Sequence, residues 1–215
     1  MKKTTYYLYI IIFWSPVVVL GQDSTSITKS QAPTPVEIFA GHRALSYQHV
    51  LSKDIGRFNF FNVAAFDAEY GTSPKNDFVI SSFFSYQLGK GFSLGIGGEI
   101  QPPGANFIVG AQYVYASNQW LLVLFPSVTL QQASQFAQLS LLEFRPKISQ
   151  GIRGYFRAQV LVSTNFITYD RGYQQFRLGL QINQVQFGLA ANYDQFASNT
   201  RTTTNYGAFV RLLIF

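Results

Sequence analysis

The final stretch of the chain, Asn205-Tyr-Gly-Ala-Phe-Val-Arg-Leu-Leu-Ile-Phe215, decides the fold class. Its side chains divide into two alternating sets: Tyr206, Ala208, Val210, Leu212 and Ile214 on one face, and Asn205, Gly207, Phe209, Arg211, Leu213 and Phe215 on the other. A period of two belongs to a β-strand whose two faces meet different surroundings. The stretch therefore predicts a strand with one wholly apolar face, and this strand ends on an aromatic residue.

The composition favours a membrane protein built from such strands. Charged residues make up 12% of the chain, about half of the roughly 25% that is usual, while aromatic residues reach 17%. After the N-terminus, no apolar run approaches the roughly 20 residues that a membrane-spanning helix needs, whereas a transmembrane strand needs only about 9–11. A soluble all-β sandwich is the alternative, but it would have to fit all the apolar faces into one core.

The first residues predict a secretory signal-peptide helix over 1–21. Lys2 and Lys3 supply its positive end, residues 6–20 its apolar run, and the small residues before Gln22 its cleavage site. An uncleaved anchor helix is the alternative. The next segment, 22–35, is rich in Ser, Thr, Gln and Pro and predicts a flexible arm.

The rest of the chain, 36–215, predicts a closed antiparallel up-and-down transmembrane β-barrel. Bacterial barrels have even strand numbers, and the pattern favours twelve strands, because 22–55 is about one hairpin long. Ten is the alternative, with the irregular segment 36–51 outside the wall. The predicted strands are 36–51, 57–70, 77–88, 91–101, 106–116, 120–130, 135–145, 151–163, 173–182, 185–194 and 205–215.

Connections of two lengths alternate along this domain. The short ones are 89–91, 117–118, 146–150 and 183–184, and the longer ones are 71–76, 101–105, 131–134, 164–172 and 195–204. Short periplasmic turns and longer external loops are typical of outer-membrane barrels. This pattern places Phe215 at the periplasmic rim.

Together, the signal peptide, the alternation over 36–215, the loop asymmetry and terminal Phe215 resemble the small outer-membrane β-barrel proteins of Gram-negative bacteria. The resemblance implies an outer-membrane location, contact with outer-membrane lipids, and recognition of the strand ending in Phe215 by the barrel-assembly machinery. It implies no particular chemistry, and it leaves the oligomeric state open.

The apolar faces are expected to point outward, because lipid cannot hydrogen-bond a polar group and an arginine there costs about 2–4 kcal/mol at the midplane. Aromatic residues recur on this face near the strand ends, where they are candidates for the interfacial girdles. These candidates are Tyr70, Tyr86, Tyr113, Tyr115, Trp120, Tyr193 and Tyr206.

The charged residues are expected to line the lumen, with arginines in the periplasmic half and carboxylates near the external end. The candidates are Arg153, Arg157, Arg177 and Arg211, and Asp67, Glu69, Asp77, Glu99 and Asp194. One interpretation is a narrow pore for small solutes with a charged constriction. The other is a closed, non-conducting barrel filled by paired charges, which acts as a structural or partner-binding envelope protein.

Other functions have little support in the sequence. A lipid hydrolase would have to use His42 or His49 with Ser46 or Ser52, and no acid is placed to orient either ring, so we predict no enzymatic activity. The chain has no cysteine, and two histidines alone do not indicate a metal site. We therefore expect no metal and no cofactor. Residues 22–215 carry 14 basic and 10 acidic side chains, a net +4 without a basic cluster, which does not favour nucleic-acid binding.

Overall fold

Antiparallel strands make up most of the chain. The computed structural model describes residues 33–215 apart from 73, 75, 103, 131–133 and 197–201. The predicted signal peptide and all but the last three residues of the predicted arm lie outside these residues. Within them, no helix has the length and apolar character to cross a membrane.

In chain order the strands are β1 (Thr34–Gly41), β2 (Ala44–Ile55), β3 (Phe58–Glu69), β4 (Asp77–Gly89), β5 (Phe92–Gln101), β6 (Gly104–Ala116), β7 (Trp120–Thr129), β8 (Phe136–Phe144), β9 (Lys147–Ser149), β10 (Ile152–Thr164), β11 (Tyr169–Ile182), β12 (Val185–Phe196) and β13 (Thr202–Ile214). Consecutive strands are hydrogen-bonded to each other, except that β8 pairs with β10 and not with β9, and the first strand pairs with the last. Because β1 pairs with both β2 and β13, the sheet closes on itself as an antiparallel barrel.

The wall contains twelve strands, because β8 and β9 occupy one position. Both pair with β10, and the break between them falls at Arg145 and Pro146. Proline has no N–H to donate to a ladder and is a natural place for such a break. The preferred count of twelve is confirmed, and the alternative of ten is wrong.

The segment 36–51, expected to be one irregular strand, holds a hairpin instead. The chain reverses at His42 and Arg43, where the Arg43 N–H donates to Asn205 Oδ1 at 2.9 Å. Gly41 permits this approach, since a Cβ there would lie 2.0 Å from the same Asn205 oxygen. β1 also begins two residues earlier than the predicted barrel, at Thr34. The inward side chains occupy odd-numbered positions in β1 and even-numbered positions at the start of β2, so the sequence of the whole segment alternates imperfectly.

We call the rim that holds Phe215 the C-terminal rim and the other the loop rim. Several loop-rim connections are shorter than expected. β6 starts at Gly104, β11 at Tyr169 and β13 at Thr202, so polar residues assigned to loops continue the ladders. Only residues 102–103 separate β5 from β6. Polar residues can extend strands here because backbone pairing does not depend on side-chain polarity.

Inward and outward side chains differ sharply in accessibility. Phe39, Phe83, Tyr155 and Phe209 are buried inside the barrel. Leucine, isoleucine and phenylalanine side chains cover the outer face, where Phe107 is 75% and Leu189 68% exposed. Large apolar side chains at such exposure suit a wall that faces lipid rather than water.

Candidate functional site

Five ionised side chains meet inside the barrel. Arg157 on β10, Arg177 on β11 and Arg211 on β13 meet Glu37 on β1 and Glu143 on β8. We call these five residues the charged cluster. Each occupies an inward position of its strand, so the alternation alone brings them to the same interior. Three arginines against two glutamates leave the cluster with a net charge of +1.

Glu37 bridges two arginines that lie directly opposite each other on β10 and β11. Its Oε1 accepts from Arg177 Nε at 2.8 Å, and its Oε2 lies 3.5 Å from Arg157 Nη1. Like charges at directly opposed positions destabilise a sheet, so the carboxylate between them compensates an otherwise unfavourable pair. Arg177 also donates from Nη1 to Asn192 Oδ1 at 2.8 Å.

Glu143 holds the other side of the cluster. Its Oε1 accepts from Arg211 Nη1 at 2.7 Å and from the Tyr155 hydroxyl at 3.3 Å, and it lies 4.0 Å from Arg157 Nε. Arg211 also donates to the Tyr155 hydroxyl. Charge-assisted bonds of this kind are roughly twice as strong as neutral ones.

Aromatic rings pack against the guanidinium groups. The Arg177 guanidinium carbon lies 4.9 Å from the centre of the Phe39 ring and 5.9 Å from that of Phe209. Arg157 and Arg177 are each only 2% exposed, and Arg211 is 6% exposed. A water-sized sphere therefore has almost no access to the arginines that the sequence suggested as a pore lining.

A second ionic group lies near the loop rim. Arg171 donates to Asp194 Oδ1 at 3.0 Å and to Asp77 Oδ2 at 2.9 Å, and its guanidinium lies 4.9 Å from the centre of the Phe196 ring. This group bridges β4, β11 and β12. The sequence predicts carboxylates near the external end of the lumen and arginines in the periplasmic half. In the structure, the carboxylates near the loop rim contact Arg171, and the arginines of the charged cluster contact Glu37 and Glu143.

The remaining predicted lumen residues are spread around the interior. Arg153 lies at the C-terminal rim, where Nη1 donates to the Asn118 carbonyl at 2.7 Å. Glu69 pairs with Arg43 near the β1–β2 hairpin. Glu99 is half-buried on β5, opposite Ser81 and Asn106, and Asp67 faces the lumen beside Ser46 and Tyr173.

The sequence reasoning missed Glu37, Glu143, Arg171 and Arg43. Glu37 and Arg43 belong to the segment whose hairpin went unrecognised, and Glu143 to a strand whose alternation changes phase near its end. Arg171 lies within the predicted loop 164–172. Two cross-strand pairings would indicate the carboxylates. Glu143 lies opposite Arg157 on the neighbouring strand, and Glu37 lies opposite Arg211 once β1 is paired with β13.

The girdle candidates lie on the outer face near strand ends, and several contact phenylalanines that are not among the candidates. Near the C-terminal rim, Trp120 lies 4.1 Å from Phe144 between ring centres, and Tyr113 lies 4.7 Å from Phe92. Tyr86 also contacts Phe58, and Tyr115 is exposed on β6. Near the loop rim lie Tyr70, Tyr193 and Tyr206.

Neither histidine contacts Ser46 or Ser52. His49 points outward with both ring nitrogens engaged, Nε2 with Asn62 Oδ1 and Nδ1 with the Tyr47 hydroxyl, each at 3.1 Å. Both serines lie on the inward face of the same strand. His42 stacks on Tyr206 at the β1–β2 hairpin. In the described residues, no three histidine, aspartate or glutamate side chains gather as a metal-binding group.

Comparison with known proteins gives structural likeness alone. No protein-family profile and no curated protein sequence matches the chain. The NanC porin matches with a TM-score of 0.51 at 7% identity, covering 85% of this chain and 100% of that one. The KdgM porin in complex with disordered oligogalacturonate matches with a TM-score of 0.50 at 9% identity, covering 85% and 99%. This chain therefore has the fold of the small outer-membrane β-barrels.

Proposed function

We propose that the barrel is closed in its resting state by the charged cluster and that it serves the outer membrane as a structural or partner-binding protein. The burial of Arg157 and Arg177, each 2% exposed, carries the proposal. In an open constriction, guanidinium groups would be hydrated and free to meet passing solutes. Here each of the three arginines contacts a glutamate of the cluster instead.

The energetics favour a cluster that stays closed. Removing one partner of a buried ion pair leaves an uncompensated charge and costs about 3–5 kcal/mol. A solute crossing at this level would have to separate Glu37 or Glu143 from its arginines and provide equivalent bonds. The rings of Phe39 and Phe209 fill space beside the same groups.

A narrow pore for small solutes is the second candidate. The net charge of +1 in the cluster favours it, and so does the likeness in fold to two porins. In this case the cluster would be the gate, and the arginines would line the passage only after their glutamates had moved away.

Conductance of refolded protein in a planar lipid bilayer tests the proposal. We expect wild-type protein to be folded and silent, and Arg153→Gln, a rim control outside the cluster, to be silent as well. The double variant Arg211→Ala/Glu143→Ala removes a bonded pair without leaving either charge alone, and it should conduct if the cluster is the seal. Steady wild-type conductance that changes on Arg177→Glu would overturn closure in favour of the pore.

A further inference from the structure

A row of hydrogen-bonded polar side chains crosses the outer face of the wall, where lipid is expected. It consists of Tyr47 and His49 on β2, Asn62 on β3 and Ser82 on β4, and we call it the polar row. His49 is the sixth of the 12 residues in β2, Asn62 the fifth of the 12 in β3 and Ser82 the sixth of the 13 in β4. The row therefore lies far from both rims, at a depth where polar side chains are rare and mark functional contacts.

The bonds of the polar row run in one direction. Asn62 Nδ2 donates to the Ser81 carbonyl at 3.1 Å and to Ser82 Oγ at 2.9 Å. A carbonyl only accepts, so Asn62 Oδ1 faces His49 Nε2, which donates to it at 3.1 Å. The Ser82 hydroxyl thus accepts at the end of the row and donates to no described residue. Hydrocarbon offers no acceptor either, so only a polar group of another molecule completes the row.

A gap in the outer face lies at Gly98 on β5, directly opposite Ser82. A Cβ at Gly98 would meet nothing closer than the Asn106 carbonyl oxygen, 3.8 Å away, whereas at Gly95 and Gly97 it would lie 2.2 Å from a carbonyl oxygen of β4. The packing of the chain itself thus requires glycine at 95 and 97 but not at 98. A glycine inside a strand weakens it and often marks a bulge or the close approach of another backbone or a ligand. The register runs through Gly98 without a shift on both sides, which leaves close approach.

The charge pattern of this surface matches a second copy of the same surface. Within the described residues, the outward positions of β3, β4, β5 and β6 carry no charged side chain, so two such faces bring no like charges together. On a two-fold axis a residue meets its own counterpart. The Ser82 hydroxyl suits that position, because it has a proton to donate and an oxygen that accepts.

We propose that the barrel pairs in the membrane with a second copy of this chain, wall against wall, with Ser82 at the two-fold axis. The two Ser82 hydroxyls share a hydrogen bond across the axis, at the ends of the two polar rows. The gap at Gly98 lets the walls approach closely, and the Phe107 ring beside it, 75% exposed, packs against the partner. Small and polar residues are also typical of helix contacts inside membranes, where lipid is as apolar as the contact. The pairing is independent of conductance and holds for a closed barrel or a gated pore.

Cysteine in place of Ser82 tests the axis, because the chain has no cysteine of its own. A disulfide needs Cα atoms about 4.4–6.8 Å apart, a distance that identical residues reach only beside the axis. Under mild oxidation in lipid vesicles, we expect Ser82→Cys to form a covalent dimer, seen as a doubled mass on a non-reducing gel.

Ser140→Cys is the matched control for this cross-link. Ser140 is an outward serine on β8, but its cross-strand neighbours are Leu124 and Val160 and leave no gap. We expect only the background of random collisions from this variant. Equal cross-linking of Ser82→Cys and Ser140→Cys would overturn the proposal.

Filling the gap tests the contact without a disulfide. Gly98→Leu is compatible with the barrel itself, because a Cβ there has free space, and its urea-unfolding midpoint should equal that of wild type. Energy transfer in vesicles between copies labelled with donor or acceptor dyes at Lys147→Cys, on exposed β9, measures the dimer dissociation constant. We expect Gly98→Leu to raise this constant about tenfold. Ala191→Leu, on the outer face of β12, should leave it unchanged.

Two results of the energy-transfer measurement contradict the pairing. The first is wild-type protein that shows no transfer beyond random proximity at any ratio of protein to lipid. The second is a dimer that Gly98→Leu leaves intact, because the copies would then meet through another face of the barrel.

Discussion

Glu37 lies between two guanidinium groups, those of Arg157 and Arg177, that face each other across β10 and β11. The directly opposed pair Arg157 and Arg177 would repel without it. A buried ion pair is no guarantee of high stability, since desolvation offsets much of the attraction. Removing only one partner of such a buried pair is nevertheless strongly destabilising, because the other charge is left uncompensated.

We expect Arg177→Met to lower the free energy of unfolding by about 3–5 kcal/mol, because methionine retains much of the volume but leaves Glu37 with less positive charge beside it. Urea unfolding in detergent micelles measures the change. Arg153→Met at the accessible rim should lose no more than about 1 kcal/mol. Equal losses in the two variants would contradict a special role for the buried position.

At the scale of strands and turns, much of the barrel follows from alternation. From Arg57 onward the predicted strands overlap those observed, because an outer face in lipid favours apolar residues at every second position, with Asn62 and Ser82 among the exceptions. The inward faces obey no such rule. Water, polar groups and rings can all fill a lumen, so β7 is apolar on both faces and β8 loses its regular pattern.

Of the charged cluster, the sequence predicts the three arginines but neither glutamate. Arg157, Arg177 and Arg211 stand on clean strands, and the alternation assigned them inward positions. Glu37 belongs to β1, whose partner β13 is the most distant strand in the chain. A contact between the two ends leaves no local pattern in the sequence, so Glu37 could not be assigned to the cluster. Glu143 lies directly opposite Arg157 on the neighbouring strand, but the alternation of β8 changes phase near this residue.

The turn between β4 and β5 gives a prediction at this scale. Gly91 has φ 83°, and a Cβ there would lie 2.3 Å from the Val114 carbonyl oxygen. Gly56, in the β2–β3 turn, has φ 63° but open space around it. Gly91→Ala should therefore lose clearly more stability than Gly56→Ala, which bears only a backbone strain of about 1 kcal/mol. Comparing their unfolding midpoints isolates the steric clash, and similar losses would argue against it.

At the scale of the molecule, the barrel has reversed polarity relative to a soluble protein, with charge inside and large apolar side chains outside. Leu189, 68% exposed in the middle of β12, lies where the wall should meet the centre of the bilayer. On the inward face of the same strand, Asn192 Oδ1 accepts a hydrogen bond from Arg177. One strand thus experiences lipid on one side and an ionic interior on the other.

Leu189→Arg tests this polarity. In lipid vesicles the substitution should cost about 2–4 kcal/mol, whereas Thr202→Arg at the start of β13 should cost about 0–1 kcal/mol because it lies near the rim. Reversible urea unfolding from vesicles gives both values. A water-exposed wall would tolerate both arginines equally, so equal costs would exclude burial of β12 in the membrane.

The pairing of β1 with β13 also governs the order of assembly. Joining the first and last wall strands closes the longest loop in the chain, and contacts of such high sequence separation form slowly. Until β1 pairs with β13, Glu37 remains apart from Arg177 and Arg157, and both guanidinium groups stay hydrated. Closure of the barrel therefore coincides with the pairing of Glu37 with its two arginines and with the loss of water from these three side chains.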